Sequence, residues 1–231
     1  MNESPAALLE QLAVCIERGK VDIDSPYPPE LKGQQGATEL TRQALAGDCP
    51  PQEVLRAGLM AGMNRVGERF ESGEAFIPEL LIAARAMSVS MELLKPYFES
   101  GEIRFRGRVI LGTVAGDLHD IGKNIVRMVL EGDGWEVTDL GVDVSSEQFI
   151  AALQEHPDSL VGLSALLTTT MINMEKTMLE IQDKFPGTPV FVGGAPLSQE
   201  FCEKIGASGY FPDPQKFAKH LSGFMASENE V

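Results

Sequence analysis

A chain of 231 residues is sized for one or two domains at about 150 residues each, and with 43% hydrophobic and 23% charged residues it can build a sizeable core. Nineteen Lys and Arg against 34 Asp and Glu leave a net charge of −15, which argues against nucleic acid and anionic lipid as partners, because both are held mainly by basic side chains. No run of about 18 apolar residues is available to span a bilayer, and the opening Met-Asn-Glu-Ser-Pro has neither the basic start nor the apolar stretch of a secretory signal.

Residues 1–98 are predicted to be helical throughout. Leu8, Leu9, Leu12 and Ile16 recur at spacings of three and four, the period of one helix face. A short second helix covers 38–45. Asp48-Cys-Pro-Pro marks a break, and Pro50 and Pro51 suit the start of a third helix carrying Val54, Leu55, Leu59, Met63, Val66 and Phe70. It stops near Ser72-Gly73. Pro78 opens a fourth helix, whose stripe of Leu80, Leu81, Ala84, Met87, Met91 and Leu94 runs to Pro96. Four amphipathic helices with short connections predict a small antiparallel bundle, with 21–36 as its longest irregular stretch. Residues 99–107, bearing Gly101, Gly107 and a run of charges, read as an exposed, bendable linker.

From 108 to 231 the pattern becomes strand, glycine, helix, repeated. Near-continuous apolar runs at 109–114, 135–140, 160–165, 189–192 and 209–211 are predicted strands, each followed by a helical segment. Such an alternation describes a doubly wound parallel sheet of five strands covered on both faces, with order 2-1-3-4-5. Met171, Met174 and Met178 fall at helical spacing and read as core, as does Trp135 at the start of the second strand. Cys15, Cys49 and Cys202 share no metal-binding spacing and read as reduced, buried thiols of a cytoplasmic protein.

In such a sheet, ligands bind beyond the carboxyl ends of the strands where strand order reverses. Three loops meet there: Gly116-Asp-Leu-His119-Asp-Ile-Gly122-Lys-Asn after strand one, Ser164-Ala-Leu-Leu-Thr168-Thr-Thr170 after strand three, and Gly193-Gly194-Ala-Pro after strand four. His119 is one of three histidines, and Asp117 stands two residues before it. Imidazole is the commonest metal ligand, and a ligating His usually gives its second N–H to a carboxylate. Thr170 is placed to hydrogen-bond that carboxylate in turn. The competing reading makes Asp117 or Asp120 a helix cap and His119 a surface residue. No second His or Cys stands at ligand spacing for zinc or iron. A lone histidine therefore suits a metal that arrives inside a macrocycle.

Gly116-Asp-Leu-His-Asp-Ile-Gly-Lys-Asn-Ile125, with Gly112-Thr-Val114 before it and Asp139-Leu-Gly-Val-Asp143 after it, resembles the signature of cobalamin-binding methyltransferase proteins. The likeness continues through Leu163-Ser-Ala-Leu-Leu-Thr-Thr-Thr-Met171 and Val192-Gly-Gly-Ala-Pro-Leu-Ser198. It also covers Met63-Asn-Arg-Val-Gly-Glu-Arg-Phe70 and Phe76-Ile77-Pro78 in the helical half. The chain is most similar to free-standing corrinoid proteins of substrate-specific methyltransferase systems and is similar to the cobalamin module of methionine synthase.

The resemblance implies a corrinoid bound base-off with His119 as the cobalt ligand, and a relay through Asp117 and Thr170. It implies that Gly116, Leu118, Asp120, Ile121 and Gly122 line the lower corrin face and nucleotide loop. Ser164, Leu166 and Thr168 would contact the nucleotide tail, with Gly193 and Gly194 beside it. Phe70, Ile77 and Met63 would shield the upper face, though all three also suit a bundle core. The implied function is methyl carriage: Co(I) accepts a methyl group from a substrate-specific methyltransferase, and methyl-Co(III) passes it to a second methyltransferase serving tetrahydrofolate or a thiol such as coenzyme M. A reductive activase is the third implied partner. The alternative within the resemblance is a cobalamin-dependent sensor. Photosensory relatives carry a tryptophan in the bundle, and 1–98 contain none.

Overall fold

The computed structural model describes residues 4–47 and 49–228. Met1, Asn2 and Glu3 of the opening segment, Asp48 of the predicted break and the last three residues lie outside the described residues. The chain divides into two compact units. One runs to Phe105 and takes in Gly132–Gly134, and the other consists of Arg106–Glu131 and the chain from Trp135 onward.

In the helical unit, α1 (Pro5–Arg18) begins where the Ser4 side chain accepts a hydrogen bond from the Ala7 N–H at 3.3 Å, with Pro5 at the first helical position. It ends on Gly19, whose left-handed φ of 68° turns its N–H back onto the last carbonyls. The predicted stripe Leu8, Leu9, Leu12 and Ile16 is buried. Helix α2 (Ala37–Ala46) opens with the Glu39 carboxylate accepting from the Gly36 N–H at 2.8 Å. Helix α3 occupies 51–71 with Pro51 at its start, and its stretch Val54–Met60 is wound as a π-helix. Gly58 and Gly62 face α1 from this helix. A Cβ at Gly58 would lie 2.6 Å from Leu12 Cδ2, and one at Gly62 would lie 2.4 Å from the Ala13 carbonyl oxygen. The two helices therefore cross closer than any larger residue allows, and Leu12 and Ile16 lose all solvent contact there.

Helix α4 (Ile77–Glu99) carries Pro78 in its first turn as predicted, but it continues past Pro96, where the sequence reading ends it. Pro96 removes one donor, the one owed to the Glu92 carbonyl. Glu92 is exposed, so water can take that carbonyl and the helix proceeds. The predicted linker is likewise less free than its glycines and charges suggest. Ile103 is buried and its N–H donates to the Tyr97 carbonyl at 3.1 Å, while Phe105 stacks on Phe98 with centroids 4.1 Å apart.

The second unit is the predicted α/β domain. Its strands β1 (Arg108–Thr113), β2 (Glu136–Asp139), β3 (Leu160–Ser164), β4 (Val190–Gly193) and β5 (Gly209–Tyr210) are all parallel, in the order β2-β1-β3-β4-β5. They alternate with α5 (Ile121–Gly132), α6 (Ser146–Glu155), α7 (Met171–Lys184), α8 (Gln199–Ile205) and α9 (Pro214–Glu228). Val161, Leu163, Val190 and Val192 are buried because both sheet faces are covered. Met174 and Met178 are core, as their spacing predicts, and so is Trp135.

Two glycines set the shape near the site. Gly112 in β1 passes beneath Phe149, whose Cζ would stand 2.6 Å from an added Cβ. Gly194, at φ 139°, lies so close to the β3 loop that an added Cβ would be 1.8 Å from the Ala165 carbonyl oxygen. Gly194→Ala should therefore lose about 3 kcal/mol or more, from backbone strain and overpacking together. Gly187→Ala is the control, because Gly187 also has positive φ, at 92°, but open space around it, and it should lose about 1 kcal/mol. Equal urea midpoints for the two variants would show that the loops yield.

Candidate functional site

β1 ends at Thr113 and α5 begins at Ile121, so 114–120 form the loop that carries the predicted ligand. The Thr113 hydroxyl donates to the His119 carbonyl at 2.9 Å, tying the loop's far end to the strand. Asp117 is completely buried, and its carboxylate collects five hydrogen bonds. Oδ1 accepts from the His119 N–H at 3.1 Å and from His119 Nδ1 at 2.7 Å. Oδ2 accepts from the N–H groups of Leu166 and Leu167, at 2.7 and 3.1 Å, and from the Thr170 hydroxyl at 2.9 Å.

Burial by itself would raise the Asp117 carboxyl. The Leu166 N–H, the two His119 donors and the Thr170 hydroxyl outweigh burial and hold it well below the usual carboxylate range. An ionised Asp117 can only accept, so His119 Nδ1 must carry the proton. That fixes the tautomer and leaves the lone pair on Nε2. The ring is half-exposed, so Nε2 is free to bind. Thr170 has one hydroxyl proton and a second acceptor in reach, the Leu167 carbonyl at 2.8 Å; the charged oxygen is the stronger of the two. The predicted trio of His119, Asp117 and Thr170 is thus brought together by β1, the β3 loop and the 3-10 turn Thr168–Thr170.

Beside His119 a cavity of about 430 Å³ opens along β1, β3 and β4. Of the predicted contact residues, Leu118, His119, Asp120, Ile121 and Gly122 line it from the first loop. Ser164, Leu166, Gly193 and Gly194 line it from the other two. Gly116 and Thr168 do not. Gly116 is turned at φ 81° with its N–H held by Asp143, and Thr168 is an exposed residue that opens the turn placing Thr170 on Asp117. In the helical unit, Ile77 is exposed, Phe70 is half-buried and Met63 is buried. Among the described residues no group of three or more His, Cys, Asp and Glu is placed to hold a bare metal ion, and no helix is long and apolar enough to cross a membrane.

The sequence reading missed two parts of the cavity. Phe191, Phe211 and Phe217 give it an aromatic wall. Lys123 lines it while almost wholly buried, its Nζ donating to both Asp139 oxygens at 2.7 and 2.6 Å and to Asn124 at 2.9 Å. Both partners of that pair lie within the quoted motifs, and a charged residue in the first turn of an apolar-faced helix was the available signal.

Comparison with known proteins gives a consistent result. Residues 107–216 match a family described as B12 binding domain, and residues 34–95 match a second family of the same description. The chain is 42% identical over 180 residues to trimethylamine corrinoid protein 1 of Methanosarcina acetivorans, covering 75% of this chain and 82% of that protein. A corrinoid protein of Desulfitobacterium hafniense is 35% identical over 209 residues, covering 88% and 91%. Among solved structures, the methanol:cobalamin methyltransferase complex MtaBC of Methanosarcina barkeri superimposes with a TM-score of 0.81 at 27% identity, over 95% of this chain and 80% of that one.

Proposed function

Since the chain belongs to the B12-binding corrinoid proteins, we propose that it carries a methyl group from a substrate-specific methyltransferase to a second methyltransferase. The carrying observation is the buried Asp117 that fixes the His119 tautomer beside a cavity large enough for a nucleotide tail. The surroundings fit a corrinoid and not a hydrated ion. Leu118 and Ile121, 72% and 68% exposed, present bare apolar surface next to the imidazole, which suits the face of a macrocycle. When bound, the corrinoid supplies a cobalt centre able to take up and release a methyl group.

The chain's own residues do the rest. His119 Nε2 would be the protein's donor to cobalt, and Asp117 keeps its ring oriented for that role. Thr170 and the two backbone N–H groups hold Asp117 ionised. Ser164, Gly193 and Gly194 leave room for a polar tail to pass close to the backbone. Cys15, Cys49 and Cys202, all buried and unbridged, suit the cytoplasm, where we place the reaction. The first partner is a methyltransferase of the kind its relative MtaBC contains, with a methylamine as the favoured methyl source because the relatives bear that name. The acceptor enzyme and a reductive activase complete the set.

The test is reconstitution with hydroxocobalamin, gel filtration, chemical reduction and addition of methyltransferases encoded beside this gene. Red protein with retained cofactor and turnover-dependent loss of methyl donor is expected. A chain that emerges colourless after repeated reconstitution overturns the reading.

A further inference from the structure

Asp143 is the one non-glycine residue with positive φ, 53°, among the described residues. A left-handed conformation costs an L-residue about 1–2 kcal/mol, and Asp and Asn tolerate it best. The strain buys a two-way bracket. Asp143 Oδ1 accepts from the Gly116 N–H at 2.7 Å, and the Asp143 N–H donates to the Asp117 carbonyl at 3.0 Å. Neighbouring bonds anchor the same loop to the end of β1. The Thr113 N–H donates to the Gly141 carbonyl at 3.0 Å, and the Val144 N–H donates to the Thr113 carbonyl at 2.9 Å. The Gly116–Asp117 pair is thus held at its two ends, the Gly116 N–H and the Asp117 carbonyl, by one residue of the β2–α6 loop, through hydrogen bonds that do not involve His119.

We propose that Asp143 is a positioning residue for the axial ligand, a proposal that rests on the corrinoid reading above. By fixing the main chain at Gly116 and Asp117, it holds the Asp117 carboxylate in register with the Leu166 and Leu167 N–H groups and so aims the imidazole. Asp143 is exposed, so its removal spares the core and loosens only the bracket. The side-chain acceptor and the left-handed backbone can be separated by substitution. Asp143→Asn keeps both, Asp143→Gly keeps the backbone and loses the acceptor, and Asp143→Ala loses both.

Two readouts test this. In the cofactor-free chain, hydrogen exchange of the 114–121 segment should quicken about tenfold in Asp143→Gly and stay at the wild-type rate in Asp143→Asn. In protein reconstituted with cobalamin and reduced to Co(II), electron spin resonance should show the nitrogen-split fraction at least halved in Asp143→Gly and preserved in Asp143→Asn, with cobalamin affinity within threefold of wild type in both. Wild-type exchange and splitting in Asp143→Gly would overturn the proposal and leave the methyl-carrier reading standing. A wild-type chain that takes up no cobalamin, or shows no nitrogen splitting, would instead sink the reading beneath it. Asp143→Ala is not relied on, since it adds backbone strain to the lost acceptor.

Discussion

Asp117→Ala should destabilise the α/β unit by at least about 3 kcal/mol, because hydrogen bonds to a charged acceptor contribute about 1.5–3 kcal/mol each and buried donors left without one keep their desolvation cost. Five donors lose their acceptor at once, and two of them are backbone N–H groups of the loop after β3. Asp117→Asn retains volume and one acceptor oxygen but puts an amide against the Leu166 and Leu167 donors or against the imidazole, so it should fall between wild type and alanine. The acid limb gives a second signature. The folded-state pKa of Asp117 is depressed, so its contribution is fully present above the ordinary Asp value of about 3.9 and is lost as pH falls below it. Urea midpoints at pH 7, 4 and 3 should show wild type losing more stability over that range than Asp117→Asn. Parallel acid limbs in the two proteins would mean that the carboxylate is no better stabilised in the folded chain than in the unfolded one.

His119→Ala should do the opposite, sparing the fold and removing the site. The ring is half-exposed and, among the described residues, Asp117 is its one side-chain hydrogen-bond partner, so the stability loss should stay near 1 kcal/mol. Cobalamin affinity should drop at least tenfold, the low end of what altered metal-site support costs, and nitrogen splitting in the Co(II) resonance should vanish. Methyl transfer should fall with it. Equilibrium dialysis and the resonance spectrum check the two effects separately. An alanine variant that keeps both affinity and splitting would mean that another donor supplies the axial nitrogen.

The parts visible in the sequence were those with local causes. Parallel strands buried on both faces leave apolar runs at 109–114, 160–165 and 189–192, and the glycines after them mark the strand ends, so the sheet and the three converging loops follow directly. His119, Asp117 and Thr170 could be singled out because a His at a strand end has a carboxylate two residues before it, a spacing that equally suits a helix cap; the hydrogen bonds joining the three are what the structure adds. What stayed hidden depends on partners distant in sequence. Lys123 looks like a solvated helix residue until Asp139, 16 positions on, is seen against it. Asp143 looks like an ordinary loop residue until its φ is known. Gly58 and Gly62 are helix-weakening residues by local propensity, and only the crossing with α1 explains them. The π-wound stretch of α3 escaped because Leu55, Leu59 and Met63 keep spacings of four, which do not distinguish it from an α-helix. Pro96 misled because a local breaker was outvoted by an exposed carbonyl, while the 99–107 segment contains the boundary between the two units and is tied down in part by Ile103 and Phe105.

The contact between Gly194 and the Ala165 carbonyl carries a consequence for redesign. Where two loops meet main chain to main chain, the gap between them is dictated by peptide atoms that every sequence shares, so its width cannot be retuned by exchanging side chains. Under the proposed reading, in which the nucleotide tail enters this cavity, discrimination among cobamides with different lower bases would fall to replaceable side chains of its lining, Phe191, Phe211, Phe217 and Val126 among them. Libraries aimed at accepting unnatural analogues should vary those four positions and leave the glycine frame untouched.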